Sequence, residues 1–196
     1  MPQLNYTQNA VIGQPGQAFD AEAFSRDVVS RVCSAVIPFG TICAMDANGF
    51  AVPVQDATTG GAFQPKLLGI ALYDALAVEE AYAAPPVPPT GAGSSSVGYP
   101  IGRAVPFMRK GRIWVAGDAT GTATRYGAIN VNHSSTGAFA QGVFTFSAVS
   151  ATVGHEIDIA PICVVWNPDL IGGTTGISVT DPFGNIFKIY PVEINL

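Results

Sequence analysis

Charged residues are scarce in this sequence of 196 residues, and their scarcity excludes several classes of protein. Only 12% of the chain is Asp, Glu, Lys or Arg, against about 25% in an ordinary soluble domain. The nine basic residues are scattered and the net charge is −5, so the electropositive surface that a nucleic acid partner requires is missing. Glycine, proline and uncharged polar residues supply the hydrogen-bonding groups instead. This composition favours a protein whose exterior is covered by other protein.

Long apolar runs are missing as well. No run approaches the roughly 20 residues of a membrane-spanning helix. The first 20 residues also lack the basic and apolar regions of a signal peptide. We therefore expect no membrane partner, and synthesis in a cytosol-like compartment.

Cysteine is rare and carries no metal or disulfide pattern. Cys33, Cys43 and Cys163 are odd in number and stand in no zinc-like spacing. Each lies in an apolar, strand-like run, where a reduced cysteine is usually a small core residue. The sequence therefore predicts buried thiols, no metal and no cofactor.

Catalytic signals are equally few. The two histidines are His133 and His155. On a strand, His155 and Glu156 would face opposite sides of the sheet, whereas Glu156 and Asp158 would share one side. No nucleophile elbow, phosphate-binding loop or metalloprotease motif occurs. We predict no catalytic residue and no enzymatic activity, and the open alternative is a hydrolase assembled from distant residues.

What is present is a succession of short strand signals. Residues 1–24 are too polar to form a core element and are predicted to be an extended N-terminal arm. About 20 extended residues reach roughly 65–70 Å, so the arm could cross a neighbouring subunit or its own domain. Residues 25–196 are predicted to form a single all-β domain of the jelly-roll or barrel-like kind. A flexible excursion rich in Pro, Gly and Ser interrupts it at 84–98.

Several local features are specific enough to test. The Asp46-Ala-Asn-Gly49 segment between two apolar runs predicts a β-hairpin turn. Residues 66–73 predict a buried strand in which Gly69 allows a bulge or a close backbone approach. Residues 74–83 are the one helical segment. A basic turn is predicted at Arg109-Lys110-Gly111, and continuous strand-like sequence is predicted over residues 156–166.

Four segments together resemble a known protein family. Their order and spacing carry the resemblance, which spans about residues 5–118. They are Tyr6–Asp20, Val36–Met45, Leu68–Asp74 and Val105–Val115. In this combination the chain is similar to the structural cement proteins of tailed-bacteriophage heads.

The resemblance implies a decoration protein without enzymatic activity. Such a protein is made in the host bacterial cytoplasm and resides on the outer capsid surface of the virion. It would form a homo-oligomer, dimer or trimer, and bridge neighbouring major capsid proteins against internal DNA pressure, with no nucleic acid contact. Arm and loop residues are the interface candidates, and for their rings the open alternative is packing on their own domain. The candidates are Tyr6, Val11, Ile12, Pro15, Phe19, Phe24 and Tyr99.

One other function stays open at this point. A jelly-roll domain of a virion or cell-surface protein can bind carbohydrate. Sugar binding of that kind commonly uses exposed aromatic rings, and the tryptophans available are Trp114 and Trp166. Trp166 is predicted to be buried beside Val165.

Overall fold

The computed structural model describes residues 14–18, 27–54, 66–83, 97–117, 123–132, 141–146, 156–166, 176–181, 184 and 186–196. Strands dominate these ranges and one short helix interrupts them. The strands are β1 Asp27–Val32, β2 Ile37–Pro38, β3 Ile42–Met45, β4 Ala51–Pro53, β5 Lys66–Ala71, β6 Gly98–Tyr99, β7 Ala104–Gly117, β8 Asn130–Asn132, β9 Phe144–Thr145, β10 Glu156–Asp158, β11 Cys163–Val165, β12 Ile177–Thr180 and β13 Ile186–Asn195, and the helix is α1 Ala75–Ala83. The predicted all-β, jelly-roll-like fold class is confirmed.

Strand β7 is the spine of the molecule. Within the described residues, eleven strands form one sheet that curls into a half-barrel, and β2 pairs with β6 in a second, small sheet. The first half of β7 pairs with β1 on one edge and β5 on the other. Its second half pairs with β13 on one edge and, at Gly117, with β9 on the other. Strands therefore flank both edges of β7.

The turn predicted at Arg109-Lys110-Gly111 is wrong. Strand β7 continues without interruption through these residues. Gly111 has a φ of +136°, and the register with β1 shifts beside Lys110. The pairing with β1 skips Arg109, between Lys110 and Met108, so the irregularity interrupts this ladder without ending the strand, and β13 continues to pair with Lys110 and Gly111.

The hairpin, helix and Gly69 predictions are confirmed. Strands β3 and β4 pair around a turn in which Gly49 has a φ of +85°. Helix α1 begins directly after Asp74, whose Oδ1 accepts the Leu76 N–H at 2.9 Å and so caps the first turn. Gly69 has a φ of +134° and lies against the carbonyl of Met108, at a register shift between β3 and β5.

The core lies on both sides of β7. One apolar cluster gathers residues such as Ile113, Phe144 and Val192, and a second forms around Phe39 and Phe107. The three thiols are free and buried, as predicted. Their burial in an apolar interior agrees with their role as small core residues.

The structure contradicts one further sequence prediction, and most of another lies outside the described residues. The run 156–166 is split into β10 and β11 by a turn in which the Ile162 N–H donates to the Ile159 carbonyl at 2.9 Å. Most of the excursion at 84–98 lies outside the described residues, whereas Gly98 belongs to β6. No helix within the described ranges has the length and apolar character needed to cross a membrane.

Candidate functional site

Residues 14–18, which lie within the predicted N-terminal arm, are bound to the central strand β7. Gly16 N–H donates to the Trp114 carbonyl at 2.8 Å, and Trp114 N–H donates to the Gln17 carbonyl at 3.0 Å. Ala18 forms a further bridge to Ile113. Residues 14–18 therefore extend the sheet along β7, on the edge opposite β13. We call this segment the arm root.

The fit of the arm root depends on two glycines. Gly16 has a φ of +80°, and a Cβ there would stand 2.6 Å from the Ala71 carbonyl oxygen and 2.7 Å from the Tyr73 nitrogen. Gly40 has a φ of +72°, and a Cβ on it would stand 2.9 Å from Cβ of Pro15. Neither position has room for a side chain. The two turns pack backbone against backbone, which holds Pro15 in a buried position.

A cleft of about 310 Å³ opens beside the arm root. Pro15, Phe39 and Tyr73 form one part of its wall, and Val179 and Phe187 on strands β12 and β13 form another. Gln14, the first residue of the arm root, also lines the cleft. The cleft is thus where the predicted arm joins the domain.

Tyr99 belongs to the same region but points into the domain. Its side chain is 1% exposed and its ring packs edge-on against Phe39, with centroids 5.2 Å apart. The hydroxyl donates to the Leu72 carbonyl at 2.9 Å. Burial, and then the nearby Asp74 carboxylate, raise the pKa of Tyr99. In the single chain the ring thus packs on its own domain, and a role of Tyr99 at an interface stays a prediction.

The structure brings together two of the predicted interface residues, Pro15 and Tyr99, around Phe39. The other interface candidates lie outside the described residues. They are Tyr6, Val11, Ile12, Phe19 and Phe24. Sequence reasoning found the Gln14-Pro15-Gly16 turn but missed its contacts with Gly40 and Tyr73, since those residues lie far along the chain and carry no local signal of the contact.

The described residues offer little to a catalytic interpretation. Burial raises the pKa of the Cys43 and Cys163 thiols, and it also raises the pKa of Cys33. A protonated thiol is a poor nucleophile. Among the residues that the structure describes, no group of three His, Cys, Asp or Glu side chains is placed to hold a metal ion. His133 and His155 lie outside the described ranges.

The tryptophans do not form a sugar-binding platform. Trp114 is 6% exposed and sits in a small cluster with Phe187. Trp166 is half-buried and not fully buried as predicted, and the Arg112 guanidinium lies 4.5 Å from the centroid of its ring. Sugar stacking needs an open aromatic face. The described residues therefore lend the carbohydrate-binding alternative no support.

The fold and the arm root together define an all-β structural domain whose N-terminal segment is anchored to its central strand. The family model described as "Structural cement protein (E217 gp24/Pam3 gp6)" matches residues 1–180. The chain therefore belongs to this family of phage structural cement proteins. The membership predicted from the sequence is confirmed.

One solved structure supports the fold independently. A chain of "The capsid of Myoviridae Phage XM1" is similar over 100% of this chain and 98% of that chain, with a TM-score of 0.56 and 17% identity. At that identity the likeness concerns the fold alone. No curated protein matches the sequence.

Proposed function

We propose that the protein decorates the outer surface of a tailed-phage head, where it forms a homo-oligomer and bridges neighbouring major capsid proteins. The match of the cement family model over residues 1–180 carries this proposal. The role is mechanical. By linking capsid subunits from outside, the protein stabilises the head against the pressure of packaged DNA.

The arm root supports a clamping role for the chain that precedes it. A pull on the chain at Gln14 reaches β7 through the main-chain hydrogen bonds of Gly16 and Gln17. β7 is itself held on both edges by other strands. A segment attached in this way can transmit load from a neighbouring subunit to the whole sheet.

Avidity explains how modest contacts would suffice. An oligomer that touches several capsid subunits converts each later contact into an intramolecular event with a high effective concentration. Overall binding can then exceed the affinity of any one contact by about 10²–10⁴-fold. The individual interfaces can therefore be small.

The scarcity of charge fits docking against protein. With 12% charged residues and a net charge of −5, little of the binding free energy is expected to come from ion pairs. The ion pair between Arg109 and Asp27 spans 3.5 Å and is partly exposed on both sides, so it contributes little. Binding to heads should therefore weaken only slightly when the Debye length falls from about 10 Å at 0.1 M salt to about 3 Å at 1 M.

Co-sedimentation with heads assembled without the protein tests the proposal. The intact protein is expected to sediment with the heads at both salt concentrations and to saturate at a fixed number of copies per head. A variant lacking residues 2–13 should bind far more weakly, because the clamping segment is removed. Absence of binding by the intact protein under both conditions would overturn the proposed function.

A further inference from the structure

Strand β12 pairs with another strand on one edge only. Its four residues, from Ile177 to Thr180, pair with β13. Beyond its other edge, no strand and no main-chain hydrogen bond occurs among the residues that the structure describes. We call this the outer edge of β12. An unpaired edge presents a row of main-chain donors and acceptors that an added strand can use.

The hydrogen bonds of β13 show which residues of β12 point to the outer edge. The Asn195 N–H donates to the Ile162 carbonyl at 2.9 Å, next to β11. Because main-chain groups alternate in direction along a strand, the odd-numbered residues of β13 bond away from β7, toward β11 and β12. The odd-numbered residues of β12 lie opposite odd-numbered residues of β13 and bond to them. The main-chain groups of Ser178 and Thr180 therefore point to the outer edge, where both residues are exposed.

The cleft beside the arm root lies against the same strand. Val179 and Thr180 of β12 and Phe187 of β13 belong to its wall. Val179 and Phe187 are opposite each other in the register, so they share one face of the sheet. Among the described residues that line the cleft, Asp181 is the one that carries a charge. A mainly uncharged cleft of about 310 Å³ suits one or two apolar side chains.

Apolar surface also lies on the other face of this edge. Ile186 stands opposite Thr180 in the register and is 75% exposed. Since successive side chains alternate between faces, Ile186 and Phe187 lie on opposite faces of the sheet. A strand added at the outer edge of β12 would therefore have apolar surface near it on both faces.

We propose that an extended segment of the major capsid protein adds as a strand to the outer edge of β12 and places an apolar side chain in the cleft. The main chain of the segment exchanges hydrogen bonds with Ser178 and Thr180. The residue between these two contacts lies beside Val179, on the face where the cleft opens. Strand addition of this kind takes affinity from main-chain hydrogen bonds and specificity from a side-chain pocket.

The position of β12 in the sheet favours a capsid subunit as the occupant. Strands β13 and β7 separate β12 from the arm root, so the two attachment points lie on opposite edges of one hydrogen-bonded layer. Capsid subunits held at these two edges would be joined through that layer. The inference rests on the proposed function and names a surface through which the bridging acts.

A second copy of this chain fits the same edge poorly. If two β12 strands paired about their centre, Val179 of one copy would lie opposite Val179 of the other. Val179 already packs against the cluster of Trp114, Phe187 and Ile189 in its own chain. It therefore has no free side chain to offer to the cleft of the second copy.

Ser178→Pro tests the strand addition. It removes an outward N–H without touching a β12–β13 hydrogen bond, and edge strands tolerate proline. Titration with heads assembled without the protein should show binding weakened by about tenfold or more, because a main-chain hydrogen bond is lost.

Ser30→Pro on β1 is the matched control. The Cys33 N–H donates to the Arg103 carbonyl, toward β7, so the Ser30 N–H also points away from β7. This variant makes the same chemical change outside the proposed site and should weaken binding far less. Urea unfolding of both variants checks that each is folded in the binding experiment.

A photo-cross-link identifies the occupant even if Ser178→Pro perturbs folding. A benzophenone-bearing amino acid replaces Thr180, whose side chain is exposed at the outer edge. Irradiation with heads should link it to the major capsid protein, and peptide mapping should place the links in one short segment of that protein. The same replacement at Arg31, which is exposed on β1, should not link to that segment.

The outcomes separate this inference from the proposed function. Links from position 180 to residues 2–13, in the same copy or another, would assign the edge to the arm and overturn the inference. Equal weakening by Ser178→Pro and Ser30→Pro, with no link to the capsid protein, would overturn it too. In both cases the head-binding function stands if the intact protein still sediments with heads. Intact protein that does not sediment with heads would overturn the proposed function, and the inference with it.

Discussion

At the scale of single residues, the account depends on two glycines that meet across the fold. Gly16 lies in the arm root and Gly40 follows β2, and a Cβ on Gly40 would stand 2.8 Å from the nitrogen of Gly16. Both have positive φ values, which side chains disfavour. The arm root can therefore reach β7 only because neither position carries a side chain.

Gly16→Ala is predicted to destabilise the protein more than a matched control. Gly49→Ala has a similar φ, +85° against +80°, but its Cβ would meet nothing within 4 Å. The control should lose about 1–2 kcal/mol of unfolding free energy from backbone strain alone. Gly16→Ala should lose a further 1–3 kcal/mol or so from overpacking against β5. Urea unfolding of both variants measures the difference, and equal losses would contradict a tightly packed arm root.

Part of the arm-root site can be predicted from the sequence. The Gln14-Pro15-Gly16 turn is predictable, because proline and glycine favour turns through their own backbone preferences. The partner of the turn is not, since nothing near Gly40 or Tyr73 indicates a contact with residues so distant along the chain. For the same reason Tyr99 is a plausible interface residue in the sequence and a core residue in the structure.

At the scale of elements, the turn of the β3–β4 hairpin is closed by the Asp46 side chain together with main-chain hydrogen bonds. Oδ1 of Asp46 accepts the N–H groups of Asn48 and Phe50, each at 2.9 Å. The Asp46 N–H also donates to the Phe50 carbonyl at 2.9 Å. The turn is thus closed by side chain and main chain together, as turn-forming Asp residues commonly do.

Asp46→Ala is predicted to lower the unfolding free energy by about 1–3 kcal/mol, because two N–H groups lose their acceptor. Asp46→Asn keeps a side-chain oxygen in place and should cost less than about 1 kcal/mol. Thermal or urea unfolding compares the two variants. A loss as large for Asn as for Ala would show that the carboxylate charge, and not the acceptor, stabilises the turn.

Elements with strong local signals are predicted well, and those set by distant partners are not. The hairpin, helix α1 and the bulge at Gly69 follow from turn chemistry, composition and a glycine in an apolar strand. The run Arg109-Lys110-Gly111 carries an equally strong turn signal, yet pairing with β1 and β13 keeps it within β7. The exposure of β1 could not be predicted from the sequence either, because a strand rich in valine is usually buried.

At the scale of the whole molecule, the low charge and the exposed valines of β1 have one explanation. Only 12% of the residues are charged, and among the described residues Val28 and Val32 of β1 are each more than two-fifths exposed, which is apolar surface that a protein–protein contact would cover. Both features are expected of a protein that is complete only within an assembly. Membership of the structural cement family supplies that assembly.

The measurement that tests this account most directly is the temperature at which heads release their DNA. Heads filled without the protein are heated with and without added protein, and released DNA is followed by dye fluorescence. The account predicts that the intact protein raises the release temperature and that the variant lacking residues 2–13 raises it far less. Intact protein that binds the heads and leaves the release temperature unchanged would contradict a cementing role.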